Sequence, residues 1–67
     1  MDIKQVREWI KLQAIAPDDI YINGKRWKLE STYMSRQEAI QSAEMTYPTG
    51  KVFKYANGYA NYERGYD

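Results

Sequence analysis

The stretch Ile20-Tyr21-Ile22-Asn23-Gly24-Lys25-Arg26-Trp27-Lys28-Leu29 decides the fold. Asn-Gly between two alternating segments is the strongest short-range hairpin signal, because a tight two-residue turn needs positive φ at both central positions. Such a turn pairs Ile22 with Lys25, Tyr21 with Arg26, Ile20 with Trp27 and Asp19 with Lys28. Alternation then places Ile20, Ile22, Trp27 and Leu29 on one face. Tyr21, Arg26, Lys28 and Glu30 take the other, with Asp19 opposite Lys28. The register set by the turn and the register set by hydrophobicity agree, and a one-residue slip would turn every apolar side chain outward. A hairpin over 19–31 is the expectation.

Working outward, the C-terminal segment repeats this grammar. Lys51-Val52-Phe53-Lys54-Tyr55-Ala56-Asn57-Gly58-Tyr59-Ala60-Asn61-Tyr62-Glu63-Arg64 predicts a second hairpin over 51–64. A turn at Asn57-Gly58 pairs Ala56 with Tyr59, Tyr55 with Ala60, Lys54 with Asn61 and Phe53 with Tyr62. Phe53, Tyr55, Ala60 and Tyr62 then share one face, and Val52, Lys54, Tyr59, Asn61 and Glu63 the other. In this register the pair flanking the second turn faces solvent, whereas the pair flanking the first faces the core. The two halves therefore do not superpose as a duplication.

A helix precedes each hairpin. Asp2 with Gln5 three residues later forms a capping box for a helix over 2–15. Ile3, Val6, Ile10 and Ala14 lie on one face of it, and Trp9 and Gln13 flank that face. Leu12 and Ile15 fall off the stripe, and Pro17 cannot continue the helix. Ser35-Arg36-Gln37-Glu38 is a second capping box and opens a helix over 36–47, with Met34 and Ala39 placed for a hydrophobic staple. Its face of Ala39, Ile40, Ala43 and Tyr47 is small enough to sit close to a sheet. The order is α-ββ-α-ββ. The expectation is a single small α+β domain with a four-stranded, largely antiparallel sheet and both helices on one face.

Composition narrows the function classes. In 67 residues there is no cysteine and no histidine, which removes disulfide scaffolds, Cys/His zinc sites, thiol nucleophiles and imidazole acid–base chemistry. Ten Lys and Arg against nine Asp and Glu give a net charge of +1, unlike a strongly basic nucleic-acid coat protein or an acidic DNA mimic. No apolar run approaches the length of a membrane span. The start Met1-Asp2-Ile3-Lys4-Gln5 lacks the basic-then-apolar order of a signal peptide, so an intracellular, cytoplasmic location is expected. Tyrosine is in excess at seven copies, joined by two Trp and one Phe.

Little chemistry is on offer. Asp18-Asp19 is the one acidic doublet, read as a turn residue plus a cross-strand partner of Lys28 rather than a magnesium site. Glu38 and Glu44 share no helix face, Ser35 is accounted for as a cap, and the four glycines form no phosphate cradle. No enzyme, no metal and no cofactor are expected. The feature that stands out is the outer face of the sheet, where Tyr21, Arg26, Lys28, Lys54, Tyr59 and Asn61 would lie together if the helices cover the other face. Tyr is favoured at protein interfaces, and interleaved basic and aromatic residues on a sheet also suit bases and phosphates.

From Trp27 to Tyr62 the order is strand, Ser-x-x-Glu-Ala helix, strand, Asn-Gly turn, aromatic strand. This pattern resembles small orphan proteins of phages, archaeal viruses and mobile elements, among them some small anti-CRISPR proteins. The resemblance covers about half the chain, carries over no functional residue, and implies a compact protein that acts by occupying a surface on a host macromolecule. The expected function is a phage or mobile-element accessory protein, monomer or homodimer, that binds and blocks a host protein or protein complex, with no membrane partner. The alternative is a nucleic-acid binder using the basic and aromatic sheet face. A further alternative is an excisionase-like helix-turn-helix DNA binder, in which Ser35-Arg36-Gln37-Glu38-Ala39-Ile40 opens the first helix and the second starts near Thr49.

Overall fold

The computed structural model describes residues 1–45 and 50–65. The elements run α1 (Ile3–Lys11), β1 (Asp19–Ile22), β2 (Lys25–Tyr33), α2 (Arg36–Met45), β3 (Lys51–Tyr55) and β4 (Gly58–Arg64). All four strands form one antiparallel sheet of order β1-β2-β4-β3. The class, the element order and the sheet are those expected from the sequence. The expected helix residue Tyr47 and the tail residue Tyr66 lie outside the described residues.

The first hairpin has the expected register, with Asp19↔Lys28, Ile20↔Trp27, Tyr21↔Arg26 and Ile22↔Lys25. Its turn residues Asn23 and Gly24 have φ of 53° and 78°, the left-handed conformation a two-residue hairpin turn demands. The second hairpin differs from expectation by two residues. Its loop is Ala56-Asn57, and the pairs are Tyr55↔Gly58, Lys54↔Tyr59, Phe53↔Ala60, Val52↔Asn61 and Lys51↔Tyr62. A shift of two keeps every side chain on its expected face, so hydrophobicity could not detect it. Tertiary contacts set the observed register. The Ala56 N–H donates to the Gln13 carbonyl at 3.0 Å, and Asn57 Nδ2 donates to the Ala14 carbonyl at 2.7 Å. Gly58 sits in the strand, where a Cβ would come within 2.6 Å of the Tyr33 carbonyl oxygen.

The same contacts shorten α1. The Asp2–Gln5 capping box forms, with both reciprocal bonds at 2.9 and 3.0 Å, but the helix ends at Lys11 rather than near residue 15. A longer helix would need the Gln13 carbonyl to meet the N–H of residue 17, which is proline and has none. The chain instead tightens at Leu12 and Gln13 through bonds to the Trp9 and Ile10 carbonyls, and gives the next carbonyls to the second hairpin. Ala14, expected on the buried stripe, is exposed beyond the helix end.

The helices lie on opposite faces of the sheet, not on one. Val6 and Ile10 of α1 join Ala16, Ile20, Ile22, Phe53, Ala60 and Tyr62 in the hydrophobic core. Here α1 reaches both edge strands, β1 and β3, so the sheet curls around it. Ala39 and Ala43 of α2 are also buried, but against the other face, chiefly on β4. Consecutive residues of β4 show this directly. Tyr62 points into the core, and the Asn61 side chain meets Ser42 of α2, with Ala60, Asn61 and Tyr62 all fully buried. Adjacent strand residues face opposite ways, so three consecutive buried residues have cover on both sides.

A β-bulge in β2 prepares the second face. The register with β4 shifts between Leu29 and Ser31, so Glu30 is the extra residue and Ser31 and Tyr33 join the Asn61 side. Gly50 completes the fit: its N–H bonds the Ala43 carbonyl at 3.0 Å, and a Cβ there would collide with Asn61 Oδ1. Ser35 caps α2 by accepting the Glu38 N–H at 3.2 Å, while Met34 is 84% exposed and does not staple onto Ala39. With α1 on the inner face of its hairpin and α2 on the outer face of its own, the two halves still do not superpose. The turn-flanking pairs Ile22↔Lys25 and Tyr55↔Gly58 do face the same way.

Candidate functional site

Because α2 covers the middle of the outer sheet face, the six residues expected to form one surface are divided. Tyr21, Arg26 and Lys28 remain together on the uncovered part of the first hairpin, with Tyr21 54% exposed. Arg26 is engaged there: its Nη2 lies 2.9 Å from Asp19 Oδ1, a diagonal ion pair in place of the expected Asp19–Lys28 pair. Asn61 is fully buried rather than on the exposed face, and donates to Glu30 Oε2 at 3.4 Å and Ser42 Oγ at 3.3 Å. Lys54 and Tyr59 lie beyond α2, at the β3 edge. Lys54 Nζ is 5.4 Å from the Tyr59 ring centroid and donates to the carbonyls of Tyr55 and Ala56.

Polar groups around Asn61 form a network between β2, β4 and α2. Tyr33 Oη donates to Ser42 Oγ at 2.7 Å, and Ser42 Oγ in turn donates to Glu30 Oε2 at 3.3 Å. A carboxylate, a hydroxyl and a phenol meet here, but each bond serves to seat α2 on the sheet. The other buried phenol, Tyr62, donates to the Pro17 carbonyl at 2.7 Å. Burial pushes its pKa up to about 12, with smaller contributions from the charges of Asp18 and Asp19 and from Tyr55. A phenol held that firmly protonated is no base at neutral pH. Among the described residues no three acidic side chains gather as a metal site.

Two concave surfaces flank α1. The first, at the β1 edge, is a cavity of about 260 Å³ lined by Met1, Val6, Trp9, Asp19, Ile20 and Tyr21. Its rim is built from exposed apolar groups, Met1 at 61% and Trp9 at 42% together with Tyr21. The second, at the β3 edge, is a groove of about 230 Å³ lined by Arg7 and Lys11 of α1, Arg36 and Ile40 of α2, and Val52, Lys54 and Tyr59. Of the expected site residues, Tyr21 belongs to the first surface and Lys54 and Tyr59 to the second. Trp9, Met1, Arg7, Lys11 and Arg36 were not singled out by sequence reading. Trp9 was visible as a flank of the helix stripe, and Arg7 with Lys11 as an i,i+4 pair of cations, but only the packing of α1 between both sheet edges gives these residues neighbours.

No family model, curated protein or solved structure matches the chain. Residues 51–55 form β3, so the second helix of the helix-turn-helix reading does not exist over them. No helix among the described residues is long and apolar enough to cross a membrane.

Proposed function

We propose that the protein is a non-catalytic binding module that occupies a surface of another protein, with the apolar cavity at the β1 edge as its contact site. The observation that supports this reading is the gathering of Met1, Trp9 and Tyr21, all solvent-exposed, around one cavity. Large apolar and aromatic groups that converge on a concavity suit a partner's protruding side chain, and Trp and Tyr bury large areas while keeping a polar tip. Tyr21 was the sequence-selected residue of this surface. That the partner is a host complex inside the cell, and the protein a phage or mobile-element accessory factor, rests on the resemblance of residues 27–62 alone.

The test is affinity capture from lysate of a candidate host, run with three forms of the chain. A saturable partner retained by wild type and by the Lys25→Ala/Lys28→Ala variant, but lost by Trp9→Ala/Tyr21→Ala, supports the reading. Absence of any saturable partner, or equal retention by all three, overturns it.

A further inference from the structure

The groove at the β3 edge holds a concentration of positive charge that the net charge conceals. Four of the ten Lys and Arg residues line it, and among the described residues no Asp or Glu does. Arg7 and Lys11 stand one turn apart on α1, Arg36 is the first residue of α2, and Lys54 projects from β3. The ion pairs among the described residues are Lys11–Glu8 at 3.3 Å and Arg26–Asp19, which leave Arg7, Arg36 and Lys54 without a carboxylate partner there. All four cations are solvent-exposed, so water and salt screen their mutual repulsion, and an anion entering the groove relieves what remains of it. Arg36 carries a second penalty at the positive end of the α2 dipole, which Glu38 in the same turn offsets in part. Both penalties are relieved by the same event, a negative group bound in the groove.

We propose that this groove binds the phosphate backbone of a single-stranded nucleic acid. Arginine forks match phosphate oxygens in pairs, and two of the four cations are arginines. The remaining wall is Val52, Ile40 and the half-buried ring of Tyr59, apolar surface that a free inorganic anion would not use but a sugar and a base would. The volume of about 230 Å³ lies below the usual range for whole small-molecule ligands, and no glycine cradle accompanies it. Contact with one short stretch of a longer strand fits these dimensions better than capture of a free nucleotide. Lys54 lies over the Tyr59 ring, so a base stacking on that ring must displace it. This site is separate from the Trp9–Tyr21 cavity, so either assignment can fail without the other.

The experiment is fluorescence anisotropy with a labelled single-stranded oligonucleotide, across a salt series, with circular dichroism confirming the fold of each variant. Arg7→Gln/Arg36→Gln tests the groove, and Lys25→Gln/Lys28→Gln removes equal charge from the first hairpin. Wild type is expected to bind with an affinity that falls as salt rises. The groove variant should bind at least about tenfold more weakly at low salt, with a log–log salt slope shallower by about 1.4. The hairpin variant should change affinity by less than about twofold, its charges lying outside the contact. Equal losses in the two variants overturn the proposal, as does absence of binding at low salt. Displacement of the oligonucleotide by inorganic phosphate at matched phosphate concentration also overturns it, in favour of a small-anion site.

Discussion

The two hairpins carry the same Asn-Gly dipeptide and use it in different ways. At residues 23 and 24 it is the turn, with both residues at positive φ, and a Cβ on Gly24 would meet nothing within 4 Å. At residues 57 and 58 it straddles the end of the turn, and Gly58 pairs with Tyr55 inside the ladder. Glycine is required at 24 for its conformation and at 58 for its lack of a side chain. The first hairpin is specified by its own sequence. The second is specified by what lies against it: Gln13, Ala14 and Pro17 on one side and Tyr33 on the other.

That contrast orders the expected effects of substitution. Gly58→Ala forces a methyl toward the Tyr33 carbonyl oxygen at the end of the β2–β4 ladder, beside its terminal pair Tyr33↔Tyr59, which must shift to admit it. A loss of about 2–3 kcal/mol is expected in urea denaturation, at the upper end of overpacking costs. Gly24→Ala should cost less, about 1–2 kcal/mol, since the penalty there is the left-handed conformation alone. A D-alanine at 24, introduced by chemical synthesis, should recover that loss because positive φ suits it. A larger loss at 24 than at 58, or no recovery with D-alanine, would break the distinction between a conformational and a steric glycine.

Tyr62 extends the comparison to pH. It anchors the second hairpin to the loop after α1 through a side-chain bond to the Pro17 carbonyl, whereas the first hairpin meets that loop through a backbone bond from the Leu29 N–H to the Asp18 carbonyl at 2.8 Å. In the folded chain its proton is held up to about pH 12, against the ordinary value of 10.0. Above pH 10 the unfolded chain therefore releases a proton that the folded chain retains. The stabilisation is complete below pH 10 and is lost as the pH climbs through the folded value. Tyr62→Phe should lower stability by about 1 kcal/mol at neutral pH for the lost hydrogen bond. It should also flatten the decline between pH 10 and 12. An alkaline stability profile identical in the two proteins would show that Tyr62 is not the group responsible.

The same distinction explains what the sequence revealed. Signals that act within a few residues, such as the Asp2–Gln5 box, the Ser35 cap and the Asn23-Gly24 turn, appear where expected and yield the element order and the antiparallel sheet. Placement of α2 depends on Glu30 forming a bulge and on Asn61 finding Ser42, and neither residue carries a local mark of that role. Its stripe of alanines fits either face equally well. Tyr21 was legible as a surface aromatic because its hairpin is local. Lys54 and Tyr59 were legible as exposed residues but not as neighbours of Arg7 and Arg36, since that convergence requires knowing that α1 spans the sheet from β1 to β3. Local chemistry was readable, and long-range adjacency was not.

The smallest expected effect tests whether the second turn depends on its tertiary bonds at all. Asn57 Nδ2 reaches the Ala14 carbonyl from 43 residues away, at an exposed site where water can replace it. Asn57→Ala should therefore cost only about 0.5 kcal/mol, the low end for a net hydrogen bond. The informative readout is amide exchange rather than global stability. The Ala56 N–H, bonded to the Gln13 carbonyl at 3.0 Å, should lose protection along with the loop it holds, while the amides of the first hairpin keep theirs. If Ala56 stays protected in the variant, the backbone bond alone holds the loop to the turn. The Ala56-Asn57 register then owes more to the fit of Gly58 beneath Tyr33 than to the bonds from residues 13 and 14.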